Sequence, residues 1–212
     1  MTGVNERIVK CGIIPVIVLE VADKAVKVAE ALIAGGIDVM EITFRTAAAE
    51  ESIARVAKEV PQMLVGAGTV INKKQFDTAI NAGAKFIVSP GSDEELIKLA
   101  VSRSIPMFPG VVTPSEIMIG HKHGLKIFKF FPAELSGGLN TIKALSAVFP
   151  DIKFVPTGGI SEKNVAEYFA EKSVAAIGGS WMASGKMISD GLYNEITEKS
   201  LEAVSAIKQK KG

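Results

Sequence analysis

Cysteine is nearly absent: Cys11 is the one thiol in 212 residues. A lone cysteine closes no internal disulfide, which fits a reducing compartment. Histidine is almost as scarce, with only His121 and His123. The two lie in a helical stretch ending at Gly124, and residues two apart on a helix do not face one another. With so few soft or imidazole ligands, no metal site of the His-rich zinc kind is expected. Both histidines read as surface residues. Excess charge of either sign is also missing, since 24 Lys and Arg stand against 23 Asp and Glu. That balance argues against a nucleic-acid binder, which would carry a basic face. The one basic cluster, Lys208, Lys210 and Lys211, reads as a solvated last helical turn, where cations suit the helix dipole. Long hydrophobic runs are lacking too. The longest, Gly12 to Leu19, falls far short of the roughly 20 residues a bilayer span needs. The opening MTGVNERIVK mixes charges and holds no apolar stretch of its own, so no cleavable signal is expected. A cytoplasmic protein with no membrane partner is the expectation.

What is present is core material. The chain is 48% hydrophobic with a mean hydropathy of +0.30, and a single domain of this size buries roughly 70% of its unfolded surface. Short apolar runs recur at Ile13–Leu19, Ile37–Thr43, Met63–Gly66, Lys85–Ser89, Ile105–Phe108, Leu125–Phe131, Ile152–Pro156 and Val174–Ile177. Amphipathic stretches rich in Ala, Leu, Glu and Lys separate them. Buried parallel strands read as near-continuous apolar runs, and strand–helix alternation implies crossover helices. Thr113-Pro114-Ser115-Glu116 has the spacing of a capping box, and Ser92 with Glu95 and Asn72 with Gln75 repeat it. Gly35-Gly36, Gly83 and Gly124 stand where helices should stop.

Eight units in this length predict one domain over residues 1–212, a single (β/α)₈ (TIM) barrel, with residues 1–10 as a short helix closing its floor. The rival is an open doubly wound sheet, which would place a glycine-rich loop after its first strand. Here the first run is followed by Glu20-Val21-Ala22-Asp23, and the double glycines come late.

In such a barrel the chemistry sits at the C-terminal ends of the strands. In the sixth run, alternation puts Leu125, Ile127, Lys129 and Phe131 on one face. Desolvation among apolar neighbours disfavours a charged ammonium, and a neutral amine is what a Schiff-base nucleophile must be. Spacing alone leaves open a lysine whose stem packs while its head reaches water. Glu41 in the second run is a carboxylate within a buried strand, rare unless paired or functional. It could pair with Lys129 as acid/base and nucleophile, or simply with Arg45 or another cation. Gly66-Ala67-Gly68-Thr69 ends the third run, where glycine lets backbone approach a ligand, or serves a plain turn. Thr157-Gly158-Gly159 follows the seventh run and Gly178-Gly179-Ser180 the eighth. Those are the two usual phosphate-binding places of this fold, built from backbone N–H groups and a helix N-terminus.

The stretches Met40–Thr46, Val65–Val70, Ile87–Gly91, Phe128–Glu134 and Pro156–Ile160 resemble the 2-keto-3-deoxy-6-phosphogluconate (KDPG) and 4-hydroxy-2-oxoglutarate aldolase family, collinearly over almost the whole chain. The resemblance implies a metal-independent class I lyase with no cofactor. Its substrate would be a small-molecule 2-keto acid phosphate, split to pyruvate and D-glyceraldehyde 3-phosphate as in the Entner–Doudoroff route. A second activity on 4-hydroxy-2-oxoglutarate and a homotrimer are implied as well. Carried over by position, it makes Lys129 the Schiff-base lysine and Glu41 the general acid/base. It gives Arg45 and Thr69 to the keto-acid carboxylate, and Pro90 and Phe131 to the pyruvate pocket. Gly158, Gly159, Gly179 and Ser180, with Thr157 at their edge, go to the phosphate. The C4 epimer 2-keto-3-deoxy-6-phosphogalactonate stays open as main substrate. A non-covalent phosphosugar isomerase and a phosphate-ligand-binding barrel stay open as readings of another class.

Overall fold

The computed structural model describes residues 3–208. Strand and helix alternate except at β5–β6 and α9–α10: α1 (Gly3–Cys11), β1 (Ile13–Ile17), α2 (Ala25–Ala34), β2 (Val39–Thr43), α3 (Ala49–Glu59), β3 (Leu64–Gly68), α4 (Lys73–Asn81), β4 (Ile87–Val88), α5 (Glu94–Ser102), β5 (Met107–Phe108), β6 (Gly110–Val111), α6 (Pro114–Lys122), β7 (Ile127–Phe130), α7 (Gly138–Val148), β8 (Lys153–Pro156), α8 (Val165–Ala170), β9 (Ile177–Gly179), α9 (Gly185–Asp190) and α10 (Tyr193–Lys208). Lys208 ends α10 exposed, whereas Lys210 and Lys211 of the expected basic cluster lie outside the described residues.

Every strand pair is parallel. A curled six-stranded sheet runs β5-β4-β3-β2-β1-β9, and a three-stranded sheet runs β6-β7-β8. The expected barrel therefore resolves into two sheets. The fifth apolar run is where they part. Pro109 has no N–H to give to a ladder, so the strand breaks into β5, which pairs with β4, and β6, which pairs with β7. Pro109 keeps its carbonyl, which accepts from Lys129 N–H at 3.0 Å. On the other side, isolated bridges Phe154–Val174 and Thr157–Gly178 join β8 to β9 and the residues before it.

Alternation divides the core in two. Ile14, Val39, Leu64, Phe86, Val88, Phe108, Ile127 and Val155 pack together on one face, with Ile8 of α1 among them. Met40, Ile42, Val65, Phe128, Phe130 and Phe154 point the other way, into the layer shared with the helices. Glu41 and Lys129, one residue past Met40 and Phe128, thus belong to the first face.

Helix starts follow local chemistry. Thr113 and Glu116 form the full capping box, with Pro114 in the first turn of α6. Asn72 accepts from Gln75 N–H at 2.9 Å. The expected cap at Ser92 is corrected by one residue: Asp93 accepts from Leu96 N–H at 2.8 Å and starts α5, while Ser92 Oγ donates to Gly110 O. The carboxylate is the charged acceptor of the two and takes the cap. Gly36, Gly83 and Gly124 follow their helices with positive φ, as expected.

Candidate active site

β7 carries Lys129 between Gly110 of β6 and Val155 of β8. β2 carries Glu41 between Val16 of β1 and Gly66 of β3. Both side chains turn to the inner face and meet there. Lys129 Nζ lies 3.5 Å from Glu41 Oε1, with side-chain exposures of 5% and 3%. That is ion-pair distance without an aligned hydrogen bond, since Glu41 Oε1 has no hydrogen-bond partner among the described residues. A buried carboxylate oxygen left open is costly, and such groups concentrate where a substrate or intermediate completes the set. The Phe131 ring lies with its centroid 5.1 Å from Lys129 Nζ, a wall against the amine.

Room for Glu41 comes from a glycine. A Cβ on Gly68 would stand 1.8 Å from Glu41 Oε1 and 2.4 Å from its Cδ. The carboxylate occupies the space that any side chain at 68 would need. Sequence reasoning placed Gly68 in a ligand-approach motif, but the group that approaches is the protein's own carboxylate. The parallel register pairing Thr43 with Gly68 is the information that the sequence lacked.

Arg45 follows β2 and is exposed. It forms no ion pair among the described residues, so the alternative of a Glu41–Arg45 pair is not what forms. Thr43 Oγ1 donates to Ile17 O at 3.1 Å, and Thr46 Oγ1 donates to Leu19 O, so the backbone on both sides of Arg45 is tied to the end of β1. Thr69 sits at φ +56°, left-handed for a β-branched residue. Neighbouring bonds hold it there: Phe44 N–H to Gly68 O at 2.9 Å and Val70 N–H to Val88 O at 3.1 Å. Pro90 is exposed, and its carbonyl crosses Gly110 so closely that a Cβ there would stand 2.1 Å away. Gly110 is a second glycine that the sequence reading passed over.

The late glycines divide. Gly158 (φ +97°) and Gly159 (φ +82°) form the turn after β8, as expected. Gly178 and Gly179 do not follow the last strand; they lie inside β9, and only Ser180 follows it. The reason is steric. A Cβ on Gly178 would stand 2.1 Å from Thr157 Oγ1, and one on Gly179 would stand 2.0 Å from the Trp181 ring. These glycines let β8 and Trp181 close on β9. Thr157 is buried, and its Oγ1 donates to Val155 O at 3.3 Å. The expected helix N-terminus is also modest, because α8 and α9 have 6 residues each. The Thr157–Gly178 bridge brings the two places side by side. Arg45, Pro90 and Ser180 make no hydrogen bond or ion pair with Lys129 or Glu41 among the described residues.

His121 is exposed, but His123 is not a free surface residue. Its side chain is 18% exposed and Nε2 lies 2.9 Å from Glu94 Oε1. With Lys98 and Lys122 also near, Glu94 is held down to about 2, first by the His123 contact and then by Lys98. Three or more His, Cys, Asp or Glu placed to hold a metal do not occur among the described residues. No helix among them is long and apolar enough to cross a membrane.

The comparisons with known proteins agree with one another. The model of the family "KDPG and KHG aldolase" matches residues 4–199. The chain is 47% identical to the KHG/KDPG aldolase of Escherichia coli K12 over 204 residues, 96% of each chain. It is 47% identical to the 2-dehydro-3-deoxy-phosphogluconate aldolase of Dickeya dadantii over 94% of each. The crystal structure of KDPG aldolase from Legionella pneumophila, with pyruvate captured as a covalent carbinolamine intermediate, superposes with a TM-score of 0.92. That match has 42% identity and covers 95% of this chain and 98% of the other. The family match, near-complete mutual coverage and collinear motifs place the chain in the KDPG and KHG aldolase family.

Proposed function

We propose that the chain is a class I aldolase that cleaves 2-keto-3-deoxy-6-phosphogluconate to pyruvate and D-glyceraldehyde 3-phosphate, and also splits 4-hydroxy-2-oxoglutarate to pyruvate and glyoxylate. The observation that carries this reading is the buried Lys129–Glu41 pair at 3.5 Å. Glu41 would take the proton from Lys129. The free amine attacks the C2 ketone, and Glu41 returns a proton as the carbinolamine loses water. The resulting iminium is the electron sink for the C3–C4 bond. Glu41 then accepts the C4 hydroxyl proton, directly or through water, as the aldehyde leaves. The enamine left on Lys129 is protonated at C3, and water releases pyruvate. A positioned acid/base of this kind contributes about 10² to 10⁴-fold.

Arg45 and Thr69 would hold the keto-acid carboxylate, since a guanidinium binds it bidentately. Pro90 and Phe131 would wall the pyruvate unit. Thr157, Gly158, Gly159, Gly179 and Ser180 would receive the phosphate, Gly179 by keeping β9 close rather than as part of a turn. The two sheets would close through Pro109 and the β8–β9 bridges into one eight-stranded barrel domain over residues 1–212, assembled as a homotrimer. The test is intact-protein mass spectrometry after mixing with pyruvate and sodium borohydride, followed by peptide mapping. A single pyruvyl adduct on Lys129, lost in Lys129→Ala, is the expected result. Bound pyruvate with no adduct would overturn the class I assignment.

A further inference from the structure

The loop after β7 and the turn after β8 are fastened to each other by residues with no assigned role. Ala133 N–H donates to Thr157 O at 2.8 Å, and Glu134 N–H donates to Gly158 O at 3.1 Å. The Glu134 side chain then lies over the turn: a Cβ on Gly159 would stand 2.4 Å from its Cγ and 2.6 Å from its Cβ. Its carboxylate end is pinned by Tyr168 of α8, whose phenol donates to Glu134 Oε1. Tyr168 is 2% exposed, so this hydroxyl has left water and depends on that carboxylate. Burial first, and then Glu134, push the Tyr168 hydroxyl well above the usual phenol range, so it stays a donor. From the other side, Asn164 Nδ2 donates to Gly159 O at 3.2 Å while its Oδ1 accepts from Ser161 N–H at 2.9 Å.

We propose that Glu134, with Tyr168 and Asn164, is a positioning set that holds the Gly158–Gly159 turn in its phosphate-receiving shape, in register with the strand that carries Lys129. The idea rests on the proposed aldolase reading. A left-handed Gly-Gly turn is free to move through many conformations, and a phosphate site of backbone N–H groups works only when those groups already point together. Glu134 Oε1 accepts from Tyr168, and a carboxyl side chain facing that donor is not the group that would bind the phosphate. Glu134 acts through the turn it covers. The set touches neither Lys129 nor Glu41, so its loss should be felt at one end of the substrate.

The test compares Tyr168→Phe, Glu134→Ala and Glu134→Gln on two substrates, one with a phosphate (2-keto-3-deoxy-6-phosphogluconate) and one without (4-hydroxy-2-oxoglutarate). Tyr168→Phe and Glu134→Ala should raise KM for the phosphorylated substrate about 5- to 10-fold, less than the direct loss of a charge-assisted hydrogen bond would give, because the set acts through the turn. kcat, and KM for the unphosphorylated substrate, should stay within about twofold. Glu134→Gln keeps an acceptor for Tyr168 and should restore most of the loss. Equal losses on both substrates, or no change on either, overturn the positioning role. Failure of the aldolase reading would show separately, as wild-type protein that cleaves neither substrate and forms no pyruvyl adduct on Lys129.

Discussion

At the N-terminal end of the strands, Ile8 of α1 is fully buried against Ile14, Val39, Leu64 and Phe86. Toward the C-terminal end, the same face carries Glu41 and Lys129, both nearly as buried. One end is closed by apolar side chains that ask nothing of their neighbours but contact. The other holds the Lys129–Glu41 pair with its open carboxylate oxygen, and the β-branched Thr69 at positive φ. The difference shows where this fold spends stability. A buried ion pair is weak support for a fold, and breaking one is strongly destabilising, so the arrangement is best explained by what it does. The closed end supplies the rigidity against which the strained end is held.

The comparison can be broken most forcefully at Gly68. Gly68→Ala puts a methyl where Glu41 now lies, and Glu41 has to swing away from Lys129. Cleavage by the folded protein should fall about 10²-fold, the usual penalty for a misplacement of about 1 Å, and the melting temperature should fall as well, because the buried pair is broken. Steady-state kinetics beside thermal unfolding would separate the two, and unaltered kinetics would remove Gly68 from the site. Ile8→Ala attacks the opposite end. It should cost about 2 kcal/mol in urea unfolding, the low end for such truncations because α1 can settle. The folded fraction should keep its kcat, and a matching loss of kcat would mean that the two ends are coupled.

Thr69→Gly sharpens the contrast from the strained side. Removing the side chain from φ +56° relieves strain of about 1–3 kcal/mol, less about 0.5–1 kcal/mol for glycine's greater freedom. A small gain in stability should accompany a higher KM for the keto acid. A loss of stability would show that Thr69 is not strained. The smallest effect belongs to neither end. Glu94 is lowered from 4.5 to about 2, so the unfolded chain binds its proton first as pH falls. The contribution of Glu94 is thus complete above pH 4.5 and lost as pH falls toward 2. The side chain is 40% exposed, so the effect is small. Acid titrations of His123→Ala and wild type should diverge above that window and converge below it.

Much of this was legible in residue order. The apolar runs, the Thr113 and Asn72 caps and the glycine stops are local features, set by side-chain alternation and backbone preference. Ser92 misled because both it and Asp93 can cap, and only the packed loop over Gly110 decides which does. Gly178 and Gly179 misled because a double glycine marks a turn as readily as a close approach between strands. His123 misled because its partner, Glu94, comes from the preceding helix α5, 29 residues earlier in the chain.

The sequence by itself determined the parallel α/β alternation, the single face shared by Ile127 and Lys129, and the family motifs, because these depend on neighbours a few residues apart. Only the tertiary structure decided that Glu41 partners Lys129 rather than Arg45. It likewise decided that Gly68 makes room for that carboxylate and that Tyr168 reaches Glu134. Each joins residues far apart in the chain, and strand register and helix packing, which the order of residues does not spell out, bring them within reach.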